Sequence, residues 1–265
     1  MEVISSVEKM QQWRNKDEKI AFVATMGGLH EGHLSLIEVA KRRADRVVVS
    51  VFVNPAQFSE NEDFGTYPRN LDEDLALFKT AGVDVVFTPD IEQIYPDGVD
   101  ENFDIGWIGQ ILCGKTRPHF FNGVVQVVSR LFEIVQPDIA VFGQKDYQQL
   151  QAIKRFTSGV EIVSAAIVRE ENGLAMSTRN QYLSADECQI AAQLYQTLLQ
   201  LQQGKIDKKS ATERLQKHFK LDYLQILDAN TLKQINSNTS KIAILCAVYL
   251  GKTRLIDNLV FNKEG

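Results

Sequence analysis

The run RVVVSVFV, residues 46–53, leaves few folds open. It is β-branched almost throughout and does not alternate polar with apolar positions. A strand of this kind has no side to offer water, so it must be buried on both faces, as in a parallel sheet covered by helices. Its neighbours read the same way. KIAFVAT (19–25), VDVVFTP (83–89), PDIAVFG (137–143) and VEIVSAAIV (160–168) are predicted strands. Between them lie helical patterns: HLSLIEVAKRRAD (33–45), NLDEDLALFKTAG (70–82), VVQVVSRLFEIVQ (124–136) and DYQQLQAIKRF (146–156). Asn70 with Glu73 resembles a capping box, and Gly82 is placed to end that helix. Alternation over this length implies right-handed strand–helix–strand crossovers and a parallel sheet with helices on both faces.

Beyond Val168 the pattern changes. ECQIAAQLYQTLLQLQQGK (187–205) and KSATERLQKHF (209–219) read as helices. DYLQILDA (222–229) and KIAILCAVYLGKTRLIDNLVF (241–261) read as strands and turns. The expectation is an α/β domain over residues 1–168 and a smaller α+β domain over 169–265.

Composition excludes some functions. The 265 residues carry a net charge of −5, with no basic tail or charge block. Bulk charge therefore speaks against a nucleic-acid partner. No apolar run approaches the ~18 residues of a membrane span, and the polar start MEVISSVEKMQQWRNKDEK has no signal-peptide core. Cys113, Cys188 and Cys246 are odd in number and far apart, suggesting neither a disulfide framework nor a zinc site. Reduced thiols in the cytoplasm are expected.

Only four histidines occur, and two of them, His30 and His33, sit in FVATMGGLHEGHLSL (22–36), where a strand hands over to a helix. Open parallel sheets bind ligands at the carboxyl ends of their strands. Gly27 and Gly28 allow a tight turn and close approach of backbone to a ligand. The N–H groups that open the helix suit an anion. Histidines three apart share one side of a first turn and can donate to phosphate oxygens. The same spacing also suits histidines that only cap the turn. It does not suit a zincin, which needs H-E-x-x-H, and the Rossmann G-x-G-x-x-G fingerprint is absent. GQILCGKT (109–116) fits the P-loop pattern, but Pro118 disfavours the helix that a P-loop requires after its threonine.

Three further polar clusters follow strands or the domain boundary. Asn54 and Gln57 stand where uncharged side chains can orient a small polar substrate, or where Asn-Pro simply makes a turn. Asp72, Glu73 and Asp74 suit the N-terminus of a helix, or a share in holding Mg²⁺. Lys145 can reach a phosphate, Asp146 can cap a helix or bind a ribose hydroxyl, and Gln149 lies one turn on. Ser177, Thr178 and Arg179 offer two hydroxyls and a guanidinium, a good set for phosphate, though such a turn before a helix is common.

Together, TMGGLHEGH, FVNPAQF, TYPRNLDEDL, QPDIAVFGQKDYQQL and MSTRN, in this order, resemble the pantoate–β-alanine ligase family from about residue 20 to 183. HEGH is similar to the H-x-G-H motif of the wider nucleotidylyltransferase superfamily, and MSTRN to its K-M-S-K-S loop. The resemblance implies a Rossmann-like nucleotide- and pantoate-binding domain, with the C-terminal domain closing over the ATP site. It implies a cytoplasmic homodimer with Mg²⁺ and ATP, pantoate and β-alanine as substrates. Pantoate carboxylate attacks the α-phosphate of ATP, and the amine of β-alanine then displaces AMP from the pantoyl adenylate.

Carried over by position, Met26, Gly27, Gly28, Leu29, His30, Glu31, Gly32 and His33 contact ATP, His33 as the catalytic acid and His30 on the phosphates. Gly143, Gln144, Lys145 and Asp146 bind ATP, with Lys145 on the phosphates. Val168, Met176, Ser177, Thr178 and Arg179 complete the nucleotide site, Ser177 and Arg179 over the phosphates and Arg179 among the catalytic residues. Gln57 and Gln149 hold pantoate, Gln57 also near β-alanine, and Asn54 and Tyr67 line the same region. Asp74 is the candidate Mg²⁺ contact. Two positions depart from the family's pattern. Ala24 stands where a proline is usual, and RPHFFNGV places Phe120 at the usual histidine, with His119 one residue early. Either Arg117 and its neighbours suffice there, or His119 reaches in. Two rival readings share the histidine turn: a transferase making a stable adenylylated product, and a non-catalytic nucleotide sensor.

Overall fold

The computed structural model describes residues 1–58, 64–65, 67 and 70–263. Thr66, Pro68 and Arg69 of the TYPRN motif lie outside the described residues. Two compact units emerge, one of residues 1–143 with 152–165, the other of residues 144–151 with 166–265. A single cut at residue 168 therefore misses one exchange: the segment 144–151 groups with the C-terminal part of the chain.

The first unit holds the parallel strands β1 (Glu2–Ile4), β2 (Ile20–Thr25), β3 (Arg46–Val51), β4 (Val85–Phe87), β5 (Ile139–Gly143) and β6 (Glu161–Ala165). Helices α1 (Val7–Trp13), α2 (Glu31–Lys41), α3 (Leu71–Ala81), α4 (Ile91–Ile94), α5 (Cys113–Thr116), α6 (Phe120–Val135) and α7 (Tyr147–Phe156) occur along the same stretch of chain. The strand order is β1-β4-β3-β2-β5-β6, all parallel among the described residues. From β2 the chain builds outward to β3 and β4, then restarts on the other side with β5 and β6. The switch falls between β2 and β5, where such sheets take ligands.

The predicted continuous burial is present. Val47, Val48 and Val49 of β3 are at most 2% exposed. Successive residues serve opposite faces. Ala21, Val23, Val47, Val49, Val86, Ile139 and Val141 pack with Leu36, Ile37 and Ala40 of α2 and with Phe78 of α3. The intervening Phe22 meets Phe132 of α6 edge-on, ring centres 6.1 Å apart. Gly82 ends α3 in the left-handed region at φ 76°, as expected.

β1 and α1 were not legible in the polar N-terminal segment. β1 buries only Ile4 and α1 only Met10, too few apolar positions to set a period. GQILCGKT lacks the P-loop context. Its helix α5 ends at Thr116, and Arg117 leaves the helical region at φ −134°, ψ 71°.

The second unit carries α8 (Ala185–Gln202), α9 (Lys208–Gln216) and an antiparallel sheet, β7 (Lys220–Asp228), β8 (Lys241–Leu250) and β9 (Thr253–Asn262), in that order. Ser184 and Glu187 close a capping box on α8. Leu194 and Leu198 of α8 and Leu215 of α9 share a core with Leu224, Ile244, Cys246 and Val248 of the sheet. No helix among the described residues is long and apolar enough to cross a membrane.

Candidate active site

In the first unit the site is built on the exit from β2. Thr25 is buried, donates to the Ser50 carbonyl at 2.8 Å, and accepts the Gly27 N–H at 3.3 Å. The chain then turns through Gly27 and Gly28 at φ 81° and 64°, a conformation in which other residues are strained. Asp74 fixes this turn. It is 3% exposed. Its Oδ2 accepts the Gly28 N–H and its Oδ1 the Leu29 N–H, each at 3.0 Å. A Cβ on Gly27 would stand 2.8 Å from Asp74 Oδ2.

The Gly28 and Leu29 N–H groups are thus turned to the protein's own carboxylate, and Asp74 is the clamp of the glycine turn. The cap of α3 falls to Asn70, whose Oδ1 accepts the Glu73 N–H at 3.4 Å. Among the described residues no group of three or more His, Cys, Asp or Glu side chains could hold a metal ion.

The two histidines open α2, which begins two residues earlier than its apolar spacing predicts. His30 is the N-cap, and its Nδ1 accepts the Gly32 N–H at 3.1 Å. His33 reaches back with Nδ1 to the His30 N–H at 3.3 Å. The pair forms a reciprocal capping box made of imidazoles. Their ring centres are 4.1 Å apart. Capping and chemistry are therefore not alternatives. With Nδ1 an acceptor in both rings, the neutral imidazoles carry their proton on Nε2, which suits donation to an anion. Met26 and Gly32 are half-buried beside them, and Glu31 is exposed.

The substrate-type polar residues lie one strand away. Pro55–Gln57 form a 3-10 turn capped by Asn54, whose Oδ1 accepts the Ala56 N–H at 3.2 Å. The turn lies against α6 at Gly123, where an added Cβ would be 2.3 Å from the Ala56 carbonyl oxygen. Gln57 accepts from Asn54 Nδ2 at 3.2 Å and directs its own Nε2 to the Met26 sulfur at 3.2 Å. The structure thus joins Gln57 to the histidine loop through Met26. Tyr67 is buried, its ring 6.0 Å from that of Phe58. Arg117 donates to the Gln57 carbonyl at 3.2 Å and stacks 3.8 Å over the Phe120 ring, while His119 is exposed. Arg117, not a displaced His119, is the group in touch with this turn.

In the second unit Lys145 is the centre. Its Nζ donates to the Met176 carbonyl at 2.7 Å. Burial, the largest influence, lowers its pKa below the ordinary lysine value; the nearby Asp146 and Asp257 oppose this, and Arg179 and Arg169 add to it. Its backbone is held by Asn258, whose Nδ2 donates to the Gln144 and Lys145 carbonyls at 2.9 Å each. Asn258 follows Asp257, which takes Arg169 in a two-pronged ion pair at 2.7 and 2.9 Å. Arg169 also lies 3.6 Å over the Tyr195 ring. No motif reading found Arg169, Asp257 or Asn258. They stand far from Lys145 in sequence, and only the pairing of β9 with the 144–146 turn reveals them.

Val168 and Met176 are joined, the Met176 N–H donating to the Val168 carbonyl at 3.0 Å. The predicted strand 160–168 therefore stops at Ala165, and Val168 begins a hairpin-like turn. Ser177 caps the next 3-10 turn by accepting the Arg179 N–H at 3.3 Å, and residues 176–179 are half-buried. Gln149 is half-buried in the first turn of α7, three residues after the exposed Asp146.

Comparison with known proteins agrees with these motifs. The family model described as pantoate-beta-alanine ligase matches residues 2–260. The chain is 57% identical over 272 residues to the pantothenate synthetase of Vesicomyosocius okutanii, covering 98% of this chain and 96% of that one. It is 46% identical over 274 residues to that of Neisseria meningitidis serogroup B, covering 98% of each. Among solved structures, the pantothenate synthetase of Thermus thermophilus superposes with a TM-score of 0.90 at 40% identity, covering 98% of this chain and 99% of that one. The pantoate-beta-alanine ligase of Francisella tularensis, complexed with beta-gamma ATP and beta-alanine, gives 0.85 at 35% identity, covering 98% and 97%. This chain belongs to the pantoate–β-alanine ligase family.

Proposed function

We propose that this pantoate–β-alanine ligase activates (R)-pantoate on ATP as pantoyl adenylate and passes the acyl group to β-alanine, with the roles of its residues as follows. In the first step a pantoate carboxylate oxygen bonds to the α-phosphorus and pyrophosphate leaves. In the second the β-alanine amine bonds to the acyl carbon and AMP leaves, giving pantothenate. A carboxylate is a poor acyl donor until it bears such a leaving group, so the protein must align two anions and offset the charge on the phosphates.

The observation that carries this reading is the imidazole capping box at the exit of β2, with Nδ1 accepting and the proton therefore on Nε2 of each ring. His33 acts as the acid at the phosphates and His30 beside it. Lys145 exchanges the Met176 carbonyl for phosphate oxygens, with Ser177 and Arg179 in support. Met26 to Gly32, Gly143, Gln144, Asp146, Val168 and Thr178 contact the nucleotide. Gln57 and Gln149 hold pantoate, with Asn54 and Tyr67 around them. ATP is used as its Mg²⁺ complex. The described residues offer no cage for that ion, and the nucleotide's phosphates hold it. Three cysteines, odd in number and far apart in sequence, support a cytoplasmic protein, and the family resemblance supports a homodimer.

The test is pantoate-dependent exchange of labelled pyrophosphate into ATP without β-alanine. Exchange that requires pantoate is expected, and its loss in folded His33→Ala and Lys145→Ala. Near-normal exchange in both variants would remove the residue assignments. Absence of pantoate-dependent exchange in the parent protein would remove the adenylate step.

A further inference from the structure

Four hydrogen bonds converge on the Asn54 side chain, which is 1% exposed. Its Oδ1 accepts the Tyr95 hydroxyl at 2.8 Å and the Ala56 N–H at 3.2 Å. Its Nδ2 donates to Gln57 Oε1 at 3.2 Å and to the Gly123 carbonyl at 3.1 Å. A primary amide has two good acceptor sites and two N–H to give. All four are engaged here, and turning the amide over would set donor against donor at the Ala56 N–H and acceptor against acceptor at the Gly123 carbonyl.

The orientation passes onward. Because Asn54 presents Nδ2, Gln57 must answer with Oε1, and its Nε2 is left to face Met26. The thioether sulfur is a weak acceptor, so a substrate oxygen displaces it readily. We infer that Tyr95 is a positioning residue for pantoate: its hydroxyl holds the Asn54 amide in the orientation that the Ala56 N–H and the Gly123 carbonyl dictate, and Asn54 in turn sets the Gln57 amide so that N–H, not C=O, meets a hydroxyl or carboxylate oxygen of the substrate. This rests on the assignment of Gln57 to pantoate.

Tyr95 suits the task. It stands at the end of α4, its N–H donating to the Ile91 carbonyl at 2.8 Å, and Pro96 prevents the helix from continuing. The preceding Ile94 is anchored in the core at 1% exposure. Burial also pushes the Tyr95 phenol well above the ordinary tyrosine value, so it remains an O–H donor through the working pH range.

The experiment measures pantoate and ATP KM in the exchange reaction for Tyr95→Phe, Gln57→Ala and the double variant, with thermal unfolding run beside them. Tyr95→Phe is expected to raise the pantoate KM about fivefold, the worth of one hydrogen bond, with the ATP KM unchanged. Gln57→Ala should raise it further, and adding Tyr95→Phe to Gln57→Ala should change nothing more. Asn54→Asp breaks the same relay one link later and should also raise the pantoate KM. A raised pantoate KM in Gln57→Ala with none in Tyr95→Phe or Asn54→Asp overturns the relay while leaving Gln57 in place. Additive effects in the double variant, or a lower kcat with KM unchanged, also overturn it. An unchanged pantoate KM in Gln57→Ala overturns the assignment of Gln57 and the inference together.

Discussion

Asp74→Asn tests whether the glycine turn is clamped from α3. The substitution keeps the shape of the side chain and one acceptor. It replaces the other oxygen with an N–H group facing a backbone N–H that now sits 3.0 Å from Asp74. Hydrogen bonds to charged groups are worth about 1.5–3 kcal/mol, and a buried donor left without a partner costs about as much. Losing one of the two bonds and the charge behind the other should cost about 2–3 kcal/mol. For a chain of this size each kcal/mol is about 2–4 °C, so the transition of the first unit should fall by about 5–10 °C. The assay is thermal unfolding followed by circular dichroism, paired with the ATP KM in exchange. The control is Asp72→Asn in the same first turn of α3, where the side chain is exposed and loss of its favourable helix-end charge is worth only about 0.3–1 kcal/mol. If the two variants melt within about a degree of each other, Asp74 is merely another acidic residue at a helix start, and the clamp is refuted.

Other outcomes follow from the same geometry. Lys145 binds phosphate only as the ammonium, and its lowered pKa means that the folded protein releases this proton below the ordinary lysine value. In that window the unfolded chain holds more protons, so folding stability rises with pH while kcat/KM for ATP falls; a pH profile should show the alkaline limb, and Lys145→Arg should remove it. Asp257→Ala strands the Arg169 guanidinium against Tyr195 and should destabilise the second unit by about 3–5 kcal/mol in urea unfolding. Gly123→Ala drives a Cβ into the Ala56 carbonyl, where only backbone could yield; about 1–3 kcal/mol of stability and a severalfold rise in pantoate KM are expected, measured by urea melts and exchange kinetics.

The sheet was legible because burial on both faces leaves a mark in one strand at a time: Val47 to Val49 need no partner to be read as interior. The histidine turn was legible because its glycines, its histidines and the start of α2 are contiguous. What was not legible depends on residues that meet only after folding. Asp74 reads as a helix-start acid from its neighbours, and only the packing of α3 beside α2 brings it to Gly28 and Leu29. Tyr95, Asn54 and Gly123 come from three separate segments. Asn258 supports Lys145 from 113 residues further along the chain. Short elements failed for a different reason: β1 and α1 each bury a single side chain, and one residue has no period.

The imidazole capping box has a bearing on descent. In most enzymes a lineage can discard its chemistry and keep its shape, because the acid or base stands on a scaffold it does not hold up. Here the two rings that would serve the phosphates also satisfy the opening N–H groups of α2. A mutation at either histidine is judged twice by selection, once for turnover and once for the integrity of the helix start. Drift toward an inactive nucleotide sensor is therefore channelled: Ser, Asp or Asn at the N-cap His30 and Glu or Gln at His33 keep the helix start without an imidazole and are the open exits, and a bulky apolar residue is not.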